Sequence, residues 1–234
     1  MAQERRISVV IPTLNEERYI GKCLESLRKQ TLECEIIVVD SESSDKTAAL
    51  AGKNADKIVI VEKKSIAYSR QRGAESCLGE IVVSTDADCV FPANWLEVLC
   101  KHFEDESVAC VSGPTKPILE ESTMVDRVCY WVGNTFLFVL LKVKGVPWFR
   151  GSNTAYRKDF LMKAGGYNTS LKAREDSELS KRVGKLGKAV FDWNAVAFTS
   201  MRRRRQMGWL KTLRYYLDTP ISLITKKVYY EKAD

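Results

Sequence analysis

Short apolar runs and helical repeats alternate along the first half of the chain. Ile7-Ser8-Val9-Val10-Ile11 is a β-branched run stopped by Pro12, and beyond Asn15-Glu16-Glu17 apolar residues recur at Ile20, Leu24 and Leu27 with helical spacing. Glu35 to Val39 predicts a second buried strand. The polar stretch Asp40-Ser41-Glu42-Ser43-Ser44-Asp45 closes it and supplies capping residues to a helix around Thr47 to Leu50. Lys57 to Val61 predicts a third strand, a polar helical stretch runs from Ser65 to Cys77, and Gly79 precedes a fourth strand, Ile81 to Thr85. Such β-α-β-α-β-α-β alternation demands a parallel sheet with right-handed crossovers.

The pattern then loosens. Pro92 opens a helix through Trp95, Leu96, Leu99 and Phe103, and Val108 to Val111 predicts another strand. Glu120 to Val143 is long and apolar, but its uncharged part, Val128 to Leu141, falls short of the roughly 20 residues that span a bilayer. A buried or interfacial helix is the expectation. Arg150-Gly151-Ser152-Asn153-Thr154-Ala155-Tyr156 is a glycine-opened loop entering a strand, and a short helix follows to Ala164. Glu175-Asp176-Ser177-Glu178-Leu179 begins the next helix, with acids in the first turn where the helix dipole favours negative charge. Val190-Phe191 and Val196-Ala197-Phe198 read as closing strands, and Met207 to Tyr230 is aromatic, basic and partly amphipathic. With no repeat or linker, one domain over residues 1–200 with a C-terminal helical segment over 201–234 is expected.

Candidate chemistry sits where the strands end. The fourth strand runs into Asp86-Ala87-Asp88, two carboxylates one residue apart that could reach one ion from a tight turn. A bare Asp-x-Asp is more often only an acidic turn. Here Thr13, Asn15 and Asp40 also fall at strand carboxyl ends, where ligands of such sheets bind, so all should meet in one cleft. Glu175 and Asp176 serve equally well as capping acids or as site residues.

Charge adds a partner class. Lys and Arg total 37 against 30 acids, a net charge of +7 that favours anionic partners such as nucleotides, lipid phosphates or a membrane surface. Arg202-Arg203-Arg204-Arg205 forms one basic block, suited to lipid phosphates as well as to pyrophosphate. Seven scattered cysteines, no Cys-x-x-Cys pair and a single histidine, His102, argue against zinc and for a reduced cytoplasmic protein. His102 is expected at the surface. No signal-peptide apolar core precedes the first strand.

Read together, Val10-Ile11-Pro12-Thr13-Leu14-Asn15-Glu16-Glu17, Val38-Val39-Asp40-Ser41-Glu42-Ser43-Ser44-Asp45-Lys46-Thr47, Asp86-Ala87-Asp88 and Glu175-Asp176-Ser177-Glu178-Leu179 resemble the family-2 glycosyltransferases, in order, over roughly residues 7 to 183. The resemblance implies an α/β, Rossmann-like GT-A fold with a mostly parallel central sheet and helices on both faces. It implies a nucleotide-binding half over 1–112 and an acceptor half over 113–200. It also implies inverting transfer of a sugar from a nucleotide diphosphate sugar to a hydroxyl or lipid-phosphate acceptor, with Mg²⁺ or Mn²⁺ as cofactor. By that similarity Pro12, Thr13, Asn15 and Glu17 line the nucleotide pocket, Asp40 accepts from the base and Arg70 faces the nucleotide. Asp86 holds the ribose side and shares the metal with Asp88, Gly151-Ser152-Asn153 frames donor and acceptor, and Asp176 is the catalytic base, with Glu175 the alternative. Many relatives carry a histidine near Thr199 to Arg202; this chain has none there, which leaves water or Arg202 and its neighbours to complete the site.

The acceptor expected is a polyprenyl phosphate or lipid-linked glycan, with the enzyme peripheral on the inner membrane face. A sugar-1-phosphate nucleotidyltransferase shares the sheet and the metal logic but wants a Gly- and Arg-rich loop after the first strand. A nucleic-acid-binding protein would explain the charge, yet no recognition motif appears, and no nucleic acid partner is expected. A dinucleotide dehydrogenase lacks its Gly-x-Gly-x-x-Gly.

Overall fold

The computed structural model describes residues 6–62 and 65–202. The basic cluster beyond Arg202, with Trp209, Tyr215 and Tyr216, lies outside the described residues. Within them the alternation gives β1 (Ile7–Thr13), α1 (Ile20–Arg28), β2 (Glu35–Asp40), α2 (Thr47–Ala51), β3 (Lys57–Ile60), α3 (Ile66–Ser76) and β4 (Ile81–Thr85). After β5 (Cys89–Val90) come α4 (Trp95–Cys100), β6 (Val108–Ser112), β7 (Thr115–Pro117) and α5 (Met124–Lys144). The chain continues through β8 (Asn153–Arg157), α6 (Lys158–Lys163), α7 (Glu175–Val183), β9 (Lys188–Phe191) and β10 (Ala197–Thr199).

The central sheet has the order β3-β2-β1-β4-β8-β6-β9. Its first four strands are parallel, as the crossovers require, and β8 runs antiparallel between β4 and β6. Residues from both expected halves therefore share one continuous sheet. Val196 to Phe198 does not close it: β10 belongs instead to a small second sheet, β5-β10-β7, laid across the strand ends. Its cross-strand partners are Cys89 and Val90 immediately after the acidic turn, which fixes that turn against the C-terminal part of the chain.

Alternation along the strands sorts two cores. Val9 and Ile11 of β1 with Ile36 and Val38 of β2 face α1 and α4, while Val10, Ile37 and Val39 face α3, α6 and α7. On that second face α3 approaches the sheet at Gly73, where an added Cβ would stand 2.2 Å from Val10 Cγ1 and 3.1 Å from Val39 Cγ2. His102, expected at the surface, is partly buried because its Nε2 lies 2.8 Å from Asp192 Oδ2.

The apolar segment forms a 21-residue helix, longer than its uncharged run, because a Thr123/Asp126 capping box starts it early and left-handed Gly145 ends it after Lys142 and Lys144. By length and composition α5 could cross a membrane. Here one face is tied down: Asn134 Nδ2 donates to Thr115 O at 2.9 Å, Asn134 Oδ1 accepts from Arg150 Nη1 at 3.2 Å, and Phe138 packs on Phe191. The opposite face exposes Met124, Val125, Val128, Trp131, Val132, Val139 and Val143.

Gly73→Ala tests the close approach. Better helix propensity is worth about 1 kcal/mol, but overpacking against Val10 should outweigh it and leave a net loss of roughly 1–2 kcal/mol, read as a lower urea midpoint with an unchanged slope.

Candidate active site

The carboxyl ends of β1, β2 and β4 open on a cleft of about 170 Å³ lined by Pro12, Thr13, Leu14, Glu16, Ser41, Asp86 and Arg202, with Ser65, Ile66 and Ser69 from the start of α3. Asn15, Glu42 and Arg174 are the non-glycine residues with positive φ among those described, and they fall in the loop after β1, the loop after β2 and at the cap of α7. Backbone strain of this kind gathers where a site must be shaped.

Several expected site residues turn out to build the walls. Asn15 Oδ1 accepts from Ser44 N at 2.9 Å, and Glu17 Oε2 accepts from Lys46 N at 3.1 Å, so both side chains hold the loop after β2. Asp40 is buried; it accepts from Thr13 Oγ1 at 2.8 Å, Ser43 Oγ at 2.6 Å and Ser43 N at 3.0 Å. Asn153 of the Gly-Ser-Asn loop lies beneath the surface. It is fully buried, with Trp95 Nε1 donating to its Oδ1 at 2.9 Å and its Nδ2 donating to Ala195 O and Pro114 O, so it pins the strands and loops around it. Ser152 is nearly buried and lends its carbonyl to Thr85 Oγ1.

The centre is held by Arg70. Its Nη2 donates to Asp86 Oδ1 at 2.7 Å and its Nη1 to Glu175 Oε1 at 2.6 Å, with Asp176 Oδ2 at 3.9 Å. Gly151 makes room, since a Cβ there would lie 2.1 Å from Nη1, and its N–H donates to Asp176 Oδ2 at 2.6 Å. Burial works against the charge on Arg70, but Asp86, Glu175 and Asp176 outweigh it and hold the guanidinium above its ordinary pKa. Burial, then the charge of Asp176, pushes Glu175 above the usual carboxylate range, with Arg70 opposing. Of the two neighbouring acids Glu175 is shut in, with 4% of its side chain exposed, whereas Asp176 keeps 19% exposed.

Sequence reasoning passed over Glu16. Left-handed Asn15 turns it inward, where it grips Arg202 through both oxygens at 2.5 Å, and Arg202 Nε donates to Asp88 Oδ2 at 2.9 Å. Its place between Asn15 and Glu17 in the loop after β1 was the available signal. Asp86 and Asp88 offer hard oxygen donors from one turn, which suits a Mg²⁺ or Mn²⁺ ion that completes its shell from phosphates and water. Among the described residues no group of three His, Cys, Asp or Glu could hold a metal unaided. A donor set of this size fits an ion that arrives with its substrate.

Arg70→Met tests the central contact. It strands buried carboxylates and should cost roughly 3–5 kcal/mol near neutral pH. Without the cation, Glu175 titrates still higher in the folded than in the unfolded chain, so the folded state binds more protons and stability falls as pH rises through that window. The loss relative to the parent should therefore be larger at pH 8 than at pH 5 in urea melts at both values; an equal loss would contradict this account.

Residues 8–165 match the family described as glycosyl transferase family 2. The glucosyl-dolichyl phosphate glucuronosyltransferase of Haloferax volcanii is 28% identical over 186 residues, covering 74% of this chain and 59% of the relative. The 4,4'-diaponeurosporenoate glycosyltransferase of Staphylococcus haemolyticus is 27% identical over 228 residues, covering 88% of this chain and 60% of the relative. The chain thus spans about 60% of the length of these relatives. Among solved structures, the mannosyltransferase PcManGT of Pyrobaculum calidifontis, in complex with GDP-Man and Mn²⁺, superposes with a TM-score of 0.65 at 23% identity, covering 84% of this chain and 57% of that one. S. aureus TarS residues 1–349 give 0.65 at 17%, covering 83% and 60%. At such identities these likenesses speak for the fold, and the match over residues 8–165 speaks for the family. The chain belongs to glycosyl transferase family 2 and has the GT-A fold.

Proposed function

We propose that this chain transfers a sugar, with inversion, from a nucleotide diphosphate sugar to a hydroxyl or lipid-phosphate acceptor. The observation that carries the reading is the meeting, around one guanidinium, of Asp86 from the end of β4 with Glu175 and Asp176 from the start of α7. That arrangement brings the carboxylates read as donor-side and acceptor-side to one guanidinium. PcManGT, solved with GDP-Man and Mn²⁺, supports a nucleotide sugar and a divalent ion for this chain too.

In this reading Asp86 and Asp88 hold Mg²⁺ or Mn²⁺, which when bound offsets the charge developing on the diphosphate. Pro12, Thr13 and Ser41 border the nucleotide, with Asn15, Glu17 and Asp40 fixing the loops around it. Asp176 takes the proton of the acceptor hydroxyl, because it is the more accessible of the two acids and its partner Gly151 N–H orients it. Glu175 keeps Arg70 in place. An acceptor that is already an ionised phosphate would need no base.

A lipid-linked acceptor is supported by α5. Its outward face carries Met124, Val128, Trp131, Val132, Val139 and Val143 beside Arg127, Lys142 and Lys144, the mixture of apolar anchors and cations that seats a helix in an anionic interface. The dolichyl phosphate in the name of the Haloferax relative points the same way.

The reading is tested by release of UDP or GDP from nucleotide sugars with Mn²⁺ against EDTA. Metal-dependent release supports it, and label exchange from pyrophosphate into the nucleotide sugar would favour a nucleotidyltransferase instead. With a hydroxyl acceptor, Asp176→Asn should lower turnover by roughly 10²–10⁴-fold with donor affinity kept, while Glu175→Gln acts mainly on stability; the reverse order would move the base to Glu175. For the membrane, flotation with anionic liposomes should show binding that falls with salt and with a Trp131→Ser, Lys142→Ser, Lys144→Ser triple variant. Binding indifferent to both would remove α5 from the interface.

A further inference from the structure

Arg202 lies in the cleft and is fully committed there. Its two terminal nitrogens each donate to one oxygen of Glu16 at 2.5 Å, its Nε donates to Asp88 Oδ2 at 2.9 Å, and the guanidinium carbon stands 4.8 Å from the Tyr19 ring centre. Burial opposes its charge, yet the bonds to Glu16 and the charges of Asp88 and Glu16 hold it above its ordinary pKa. The backbone beneath is tied separately. Ser200 N donates to Asp88 O at 3.0 Å, and Ser200 Oγ and Met201 N donate to Glu121 Oε2 at 2.9 and 3.0 Å. The side chain can therefore swing while its root stays in place.

Two observations bear on that swing. The cleft at the strand ends has Arg202 in its wall, so a ligand that fills it meets this guanidinium. The same guanidinium also occupies Asp88 Oδ2, one of the two carboxylates that suit a divalent ion. A metal approaching Asp88 must displace a hydrogen-bonded cation and then sit beside it. A diphosphate relieves this, because two of its oxygens can take the bidentate place of the Glu16 carboxylate on the guanidinium.

We propose that Arg202 is a positioning residue that couples metal to nucleotide: clasped to Asp88 and Glu16 it keeps a divalent cation off Asp88, and a nucleoside diphosphate releases the site by drawing the guanidinium onto its phosphates. The proposal rests on the nucleotide-sugar reading above for the identity of the releasing ligand. Coupling of this kind is reciprocal, so the metal must strengthen diphosphate binding by the same factor. The clasp itself is a property of the protein alone and is measured without nucleotide.

The experiment is a Mn²⁺ titration of the full chain, read by the EPR signal of free Mn²⁺, without nucleotide and with UDP or GDP, each corrected by a protein-free titration. Arg202→Met should bind Mn²⁺ alone on the order of 10-fold more tightly than the parent, and UDP or GDP should tighten Mn²⁺ binding in the parent by a similar factor but in the variant by much less. Glu16→Gln, which loosens the clasp and leaves Arg202 in place, should give a smaller gain and carries the test if Arg202→Met does not fold. Adding Asp88→Asn should abolish the gain. Equal Mn²⁺ affinity in parent and both variants, or a gain that survives Asp88→Asn, overturns the clasp even where diphosphates bind well. A gain in Arg202→Met with no response to either diphosphate in any protein supports the clasp and counts against the nucleotide reading.

Discussion

One buried guanidinium sets the geometry on which the site depends. Arg70 reaches from α3, behind the sheet, to Asp86 at the end of β4 and to Glu175 at the start of α7, more than a hundred residues away in sequence. Such a contact need not stabilise the fold more than apolar packing of the same volume would, since desolvating the ions offsets most of their attraction. Its value is register. A planar group with fixed donor directions admits few arrangements of its carboxylate partners, and Gly151 lets the neighbouring loop pass directly over it.

The loops around the cleft are built by the same device with smaller parts. Asp40, Asn15 and Glu17 each accept from backbone N–H groups of residues 43–46, so the loop after β2 is braced by side chains at the ends of β1 and β2. Positive φ at Asn15 turns the next residue inward. The site therefore presents few loose side chains, and a ligand meets a surface whose ordering cost has largely been met in folding.

Much of this was legible in the sequence because it follows from local rules. Near-continuous apolar runs at Ile7–Ile11 and Glu35–Val39 specified strands with two buried faces, and the strand-helix rhythm specified a parallel sheet, hence a cleft beyond the strand ends. What stayed hidden depends on pairings between distant residues. Nothing local in Asn153 says that Trp95, Pro114 and Ala195 will saturate it, and nothing local in Val196 to Phe198 says that it will join β5 and β7 in a separate sheet. Helix α5 outruns the uncharged stretch Val128 to Leu141 because its length is set by caps at Thr123 and Gly145, outside that stretch.

The charge balance of the cleft runs against that of the chain. Net charge is +7, yet beyond the strand ends Glu16, Asp86, Asp88, Glu175 and Asp176 gather around Arg70 and Arg202. Over distances beyond the Debye length of about 8 Å these charges are screened. Inside that distance the carboxylates dominate, and a bare diphosphate would be repelled by them. Entry of such a ligand under the proposed reading thus requires positive charge at the carboxylates, brought in with the phosphates or already resident. Arg70 cannot supply it, being buried and committed to Asp86 and Glu175. Arg202, which borders the cleft and is partly exposed, can, and this is the physical reason that a cation tethered at the rim and a cation carried by the substrate must share one acidic turn.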